Sequence, residues 1–163
     1  FRAFVMSNDY YVNPPFKHLP ELPDRVKALV LKERVHLGSL GLAQRLEALS
    51  LVWCCLPRDS CDERDINIAL KAVLSGALAC LETDYVELRR WLVDTGLLER
   101  DGYGRVYNRV SLTELPADLQ AMVINLCVHD PKAIAKACIE ARKAHAASRA
   151  ARRALWVNSH DQG

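Results

Sequence analysis

The stretch that decides the fold is Thr83–Val110, TDYVELRRWLVDTGLLERDGYGRVYNRV. Asp84 stands three residues before Glu87, the spacing at which a capping side chain and an acidic residue satisfy the free N–H groups of a helix start, with Thr83 as the other candidate cap. Tyr85, Leu88, Trp91 and Leu92 recur at helical spacing and give that helix one apolar face. Gly96 supplies the left-handed residue on which helices end. Leu97-Leu98 enters a strand, Asp101-Gly102-Tyr103-Gly104 reverses the chain, and Arg105–Val110 alternates on the way back. The stretch therefore predicts a helix, a glycine stop and a β-hairpin.

Working upstream, Asp24 is expected to cap a helix through RVKALVLKERVHLG, stopped by Gly38, with Val26, Leu29, Val30 and Val35 on its apolar side. A second helix is expected from Leu42 to Leu56, ending before Pro57, with Leu42, Leu46, Leu49 and Trp53 on one stripe. Ser60 with Glu63 fits a capping box and opens a third helix over about Asp62–Leu74 that buries Ile66, Leu70 and Val73. Ser75–Leu81 is small and apolar and reads as a continuation of that helix or as a turn. Helix, helix, helix, hairpin over residues 42–110 is the order of a winged helix-turn-helix. The expected fold is mainly α with a small β-hairpin (α+β), a winged helix-turn-helix with additional N- and C-terminal helices.

Three segments follow. Residues 1–24 read as an extended arm, with four prolines between residues 7 and 24 and with Tyr10, Tyr11 and Phe16 available to pack elsewhere; Met6 is expected to be the natural start, residues 1–5 being added. Residues 25–110 form the winged-helix domain with its leading helix. Residues 111–163 form a helical extension. Within it, Pro116–Val128 reads as a helix with Leu119, Met122, Val123 and Leu126 inward. Asp130-Pro131 is a strong helix start, a capping Asp followed by Pro at the first helical position. An alanine-rich helix is expected from there to about Val157. Ala137, Ala144, Ala147 and Ala151 mark a small-residue stripe that suits close helix packing and is read as a dimerisation element, the alternative being packing on the chain's own domain.

Composition is that of a soluble globular protein, half apolar and a quarter charged. No apolar run approaches the roughly 18 residues of a membrane span, and no secretory leader is visible, so a cytoplasmic location with no membrane partner is expected. The net charge of +2 is uneven: residues 131–163 hold 7 Lys and Arg against 2 Asp and Glu, and residues 1–130 hold 15 against 18. Six cysteines without a CxxC pair read as reduced, mostly buried thiols, with Cys54, Cys55 and Cys61 as the alternative thiol-sensor or soft-metal group. The five histidines are scattered, and no nucleotide-binding, zinc-protease or nucleophile-elbow motif is present. No catalysis, metal or cofactor is expected.

Two segments, CDERDINIALK at 61–71 and DYVELRRWLVDTGLLERDGYGRVY at 84–107, resemble an uncharacterised bacterial domain family with the pattern E-x-[DE]-[VI]-N, then LRR-x-LVD-x-GLL-x-R, then a turn and an aromatic. The resemblance covers about residues 38–110 and is specific around Leu88–Leu98. It implies a domain that stands alone or is appended to ArsR-type transcription regulators, and it carries no catalytic residue. This chain departs from the pattern in a longer segment between Asn67 and Asp84 and in its added C-terminal helical part.

Double-stranded DNA is the expected partner, together with a second copy of the chain. Arg89 and Arg90 lie on the expected reading helix. Arg105, Tyr107 and Arg109 share one face of a hairpin strand, with Arg100 on its partner, as suits a wing on the DNA backbone or minor groove. Against this, Glu87, Arg90 and Asp94 are spaced to pair with one another as a solvated face. The alternative is a winged-helix protein-interaction module without nucleic acid.

Overall fold

The computed structural model describes residues 18–161. The expected packing of Tyr10, Tyr11 and Phe16 and the expected start at Met6 lie outside the described residues. The architecture is mainly helical with one small antiparallel sheet. In chain order the elements are α1 (Asp24–Val30), α2 (Leu42–Cys55), β1 (Cys61–Asp62), α3 (Glu63–Ser75), α4 (Tyr85–Asp94), β2 (Leu98–Arg100), β3 (Val106–Arg109), α5 (Ala117–Val123) and α6 (Pro131–His160).

The other helices pack around α2. Ala48 to Cys54 are buried without interruption, so this helix has no solvent face over its last two turns; such a helix needs neighbours on all sides. They are α1, α3, α4, α5 and α6, each of which packs against it. The expected stripe holds for Leu49 and Trp53, which are buried, but not for Leu42, which is exposed at the first turn. Ile66, Leu70 and Val73 of α3 and Leu88 and Leu92 of α4 close the core from the other side.

The helix starts are set locally. The Asp84 carboxylate accepts from the Glu87 N–H at 2.8 Å and the Asp130 carboxylate from the Lys132 N–H at 2.8 Å. Each satisfies one of the donors a helix start leaves free. The third helix starts differently from the expectation: Asp62, not Ser60, is the cap and accepts from the Asp65 N–H at 2.8 Å. Ser60 instead donates its hydroxyl to the Asn108 side chain.

That shift has a cause in the sheet. Cys61 and Asp62 pair antiparallel with β3, opposite Tyr107 and Val106, so the expected hairpin is a three-stranded sheet in the order β1-β3-β2. On the other side of β3, Leu98 lies opposite Arg109 and Arg100 opposite Tyr107. Gly96 (φ +78°) ends α4 and Gly104 (φ +66°) closes the hairpin turn, both in the left-handed region that favours glycine.

Two other helices are shorter than the sequence suggests. α1 stops at Val30 because Val35 is drawn into a parallel bridge: its N–H donates to the Cys80 carbonyl and its carbonyl accepts from the Glu82 N–H, both at 2.8 Å. Arg142 of α6 donates to the freed Val30 and Lys32 carbonyls. α5 ends at Val123, and residues 124–129 turn the chain into α6, with Leu126 inward and Val128 exposed. The small apolar segment after α3 is a turn region, leaving the helix at Gly76.

α6 runs the full 30 residues from Pro131. Its first two turns bury Ala133, Ile134, Ala137 and Cys138 against α1 and α2. Arg149 makes an ion pair with Glu33, which holds the Glu33 carboxyl below its ordinary range. From Ala150 onward every described side chain is exposed, including Leu155 and Trp156.

Candidate nucleic-acid interface

The two halves of the expected surface, the exposed side of α4 and the β2–β3 hairpin, meet at the sheet. Thr95 to Leu97 lead from α4 into β2, and the Leu97 N–H donates to the Leu92 carbonyl at 2.9 Å, so the hairpin follows the helix with no long loop between them. At the tip, the Asp101 carboxylate accepts from the Arg105 and Val106 N–H groups at 2.7 and 3.2 Å, which lowers the pKa of Asp101. The turn is thereby fixed by its own backbone, and it presents Tyr103, 84% exposed, with the Arg105 guanidinium 5.7 Å from its ring centre.

The six side chains expected to touch nucleic acid divide into two sets. Arg90, Arg100 and Arg105 are exposed, and none forms an ion pair among the described residues. The other three are used inside the domain. Arg89 donates to the Glu63 carboxylate at 3.1 Å and to the Asn67 side-chain oxygen at 2.6 Å, which ties α4 to α3. Tyr107 is buried, 2% exposed. Arg109 donates to the Trp53 carbonyl at 3.0 Å and the Leu56 carbonyl at 3.4 Å, and lies 4.3 Å from the Trp53 ring centre. Burial lowers the Arg109 pKa. Arg105 lies just before β3 and is exposed, so it does not share a strand face with the other two; β3 is the central strand, and for Tyr107 and Arg109 the shared face is the one against the helices.

Of the carboxylates on α4, Glu87 has a side-chain partner. Glu87 accepts from the Thr83 hydroxyl at 2.7 Å, and among the described residues neither Glu87 nor Asp94 forms an ion pair with Arg90. Three features escaped the sequence reading. Tyr103 was legible in principle, because an aromatic between Gly102 and Gly104 at a turn tip has nothing to bury it. The Glu63–Arg89–Asn67 link and the seat of Arg109 on the end of α2 join residues far apart in sequence and leave no local signal.

The expected dimerisation residues also divide. Ala137 is buried within its own domain, whereas Ala144, Ala147 and Ala151 are exposed. Among the described residues no three His, Cys, Asp or Glu side chains are grouped as a metal site, and no helix is long and apolar enough to cross a membrane.

The unit built on α2, α3, α4 and the sheet is the part of the chain that resembles known proteins. Residues 42–109 match the model of a family described as uncharacterized protein conserved in bacteria (DUF2087). The matched span begins at the first residue of α2 and ends at the last of β3, so it leaves out α1, α5 and α6. No curated protein and no solved structure matches the chain.

Proposed function

We propose that residues 42–109 are a winged helix-turn-helix that binds double-stranded DNA, with α4 as the reading helix and β2–β3 as the wing, and that the chain is a cytoplasmic regulator of transcription. The order α2, β1, α3, α4, β2, β3, with β3 central in the sheet, supports that fold. The observation that carries the DNA reading is the set of exposed cations without ion-pair partners among the described residues, Arg90 on α4 and Arg100 and Arg105 on the hairpin, together with exposed Tyr103. Exposed cations on a helix and its adjoining hairpin suit a phosphate backbone, and the aromatic suits a groove edge. In this reading Arg89, Tyr107 and Arg109 act from behind, fixing α4 and the wing rather than touching DNA. The resemblance to domains appended to ArsR-type regulators agrees with it. Titration of a labelled mixed-sequence duplex at low salt tests it: saturable binding that weakens steeply as salt rises is expected, and no binding removes DNA from the account.

A second reading, docking of a protein on the same corner without nucleic acid, is favoured by one observation. Glu87 and Asp94 flank Arg90 on α4, Val86 is exposed on the same helix, and Ile68 is exposed on α3. Carboxylates there repel phosphate, and apolar side chains suit a protein partner.

For assembly we propose a two-fold dimer through the distal half of α6, where Ala144, Ala147, Ala151 and Leu155 fall on one side of the helix. Ala144→Glu with Ala151→Glu is expected to leave the domain folded, because both sites are exposed, and to convert the dimer to monomer in sedimentation. A parent protein that sediments as a monomer at micromolar concentration ends this proposal.

A further inference from the structure

The distal part of α6 is cationic throughout. Residues 141–160 hold five Lys and Arg and no Asp or Glu. Arg142 is spent on the Val30 and Lys32 carbonyls, Lys143 on an ion pair with Glu140, and Arg149 on the ion pair with Glu33. Arg152 and Arg153 are exposed and form no ion pair among the described residues. Glu33 also feels the charge of Arg153, but Arg149 already holds its carboxylate.

By helical spacing Arg152, Arg153, Trp156 and His160 share one side of α6, away from Ala144, Ala147 and Ala151. Trp156 is 64% exposed, yet its ring is held. His160 stacks on it with ring centres 4.1 Å apart and planes 30° apart, and the His160 Nδ1–H donates to the Trp156 carbonyl at 2.9 Å. No second ring and no guanidinium lies over the indole among the described residues. The other two tryptophans offer no such face, because Trp53 is buried and Trp91 has the Arg45 guanidinium 4.4 Å from its ring centre.

Unpaired guanidinium groups beside a held, open aromatic match a polyanion that also carries flat rings to stack. Bases in a duplex are already stacked on one another, whereas those of a single strand are free to meet a side chain. A lipid surface suits this helix less, because the side next to the cations is mostly alanine and offers little apolar area to insert.

We propose that this distal face of α6 binds single-stranded nucleic acid, with Arg152 and Arg153 on backbone phosphates and one base stacked on the open face of Trp156, which His160 backs. The contact is separate from α4 and the hairpin, and it does not rest on the duplex reading.

Fluorescence anisotropy of labelled oligothymidylate and oligouridylate, each of about 12 nucleotides, with the full chain at low salt tests it. Saturable binding is expected, and the stronger of the two arms identifies the sugar. Arg152→Ala with Arg153→Ala should weaken binding on the order of tenfold or more and lower the slope of log affinity against log salt by about 0.7 for each lost contact. Trp156→Ala should weaken it on the order of tenfold with the slope unchanged, and Trp156→Phe should retain most of the affinity. The oligonucleotides should quench the indole emission of the parent but not of Trp156→Phe, and inorganic polyphosphate, charged but without bases, should quench neither. Arg90→Ala, Arg100→Ala and Arg105→Ala combined should bind the single strand as the parent does, which separates this face from the proposed duplex site. All these side chains are exposed, so the variants should keep the fold. Absence of binding in both arms, equal affinity of Trp156→Ala and the parent, loss of single-strand binding in the α4 and hairpin variant, or binding of phosphatidylserine vesicles in place of the oligonucleotides overturns the proposal.

Discussion

Trp53→Ala is expected to lower the unfolding free energy by about 3–5 kcal/mol, the range for removing a large buried aromatic. Trp53 is 2% exposed in the most enclosed turn of α2. Its indole N–H donates to the Val110 carbonyl at 3.0 Å, and the Arg109 guanidinium lies against its ring. One side chain therefore joins the central helix to the end of β3 by packing, by a hydrogen bond and by a cation over its face. Trp53→Phe separates these. It keeps much of the packing but leaves the buried Val110 carbonyl without its donor, at a cost of about 1–3 kcal/mol. Urea denaturation of the three proteins checks both values. A loss below about 1 kcal/mol for the alanine variant is too small for a fully buried indole and would contradict the packing described.

The second large effect concerns binding. Arg90→Ala, Arg100→Ala and Arg105→Ala combined should weaken duplex affinity on the order of 100-fold or more near physiological salt, as expected for three lost charge-assisted phosphate contacts. The slope of log affinity against log salt should fall by about one unit for each contact. The three sites are exposed and free of ion pairs among the described residues, so thermal stability should change by no more than about 0.5 kcal/mol. Arg89→Ala is the control with the opposite profile. It breaks the link to Glu63 and Asn67, so any weakening of DNA binding should come with a measurable loss of stability. Equal affinity of the triple variant and the parent would show that this corner does not carry the binding.

How much of this was legible in the sequence depends on the range over which each feature is decided. The caps at Asp84 and Asp130 and the glycine at 96 rest on hydrogen bonds or backbone geometry within a few residues, and the sequence reading placed them correctly. β1 escaped because two residues are too few to show alternation, and they become a strand only by meeting β3. Val35 was assigned to a helix on its spacing and went instead to a bridge with Leu81, a partner that no local pattern reveals. The site divided in the same way. The alternation holds for Tyr107 and Arg109, whereas Arg105 precedes β3 and is exposed; which face is inward follows from β3 being central, and that depends on β1.

The alanine stripe shows the same dependence on tertiary context. Its period is regular from Ala137 to Ala151, yet the first position is buried and the rest are exposed, because α1 and α2 cover only the start of α6. Periodicity identifies a face; the neighbours decide how far along the helix it is used.

In the proposed function, DNA meets this chain at α4 and the hairpin tip. Amide hydrogen exchange of the full chain, with and without saturating mixed-sequence duplex, tests it most directly. Protection is expected in residues 85–94 and 100–106, with residues 48–54 unchanged because they are already buried in the core. Exchange that is the same at every segment with and without duplex, or protection confined to residues 142–160, would contradict it.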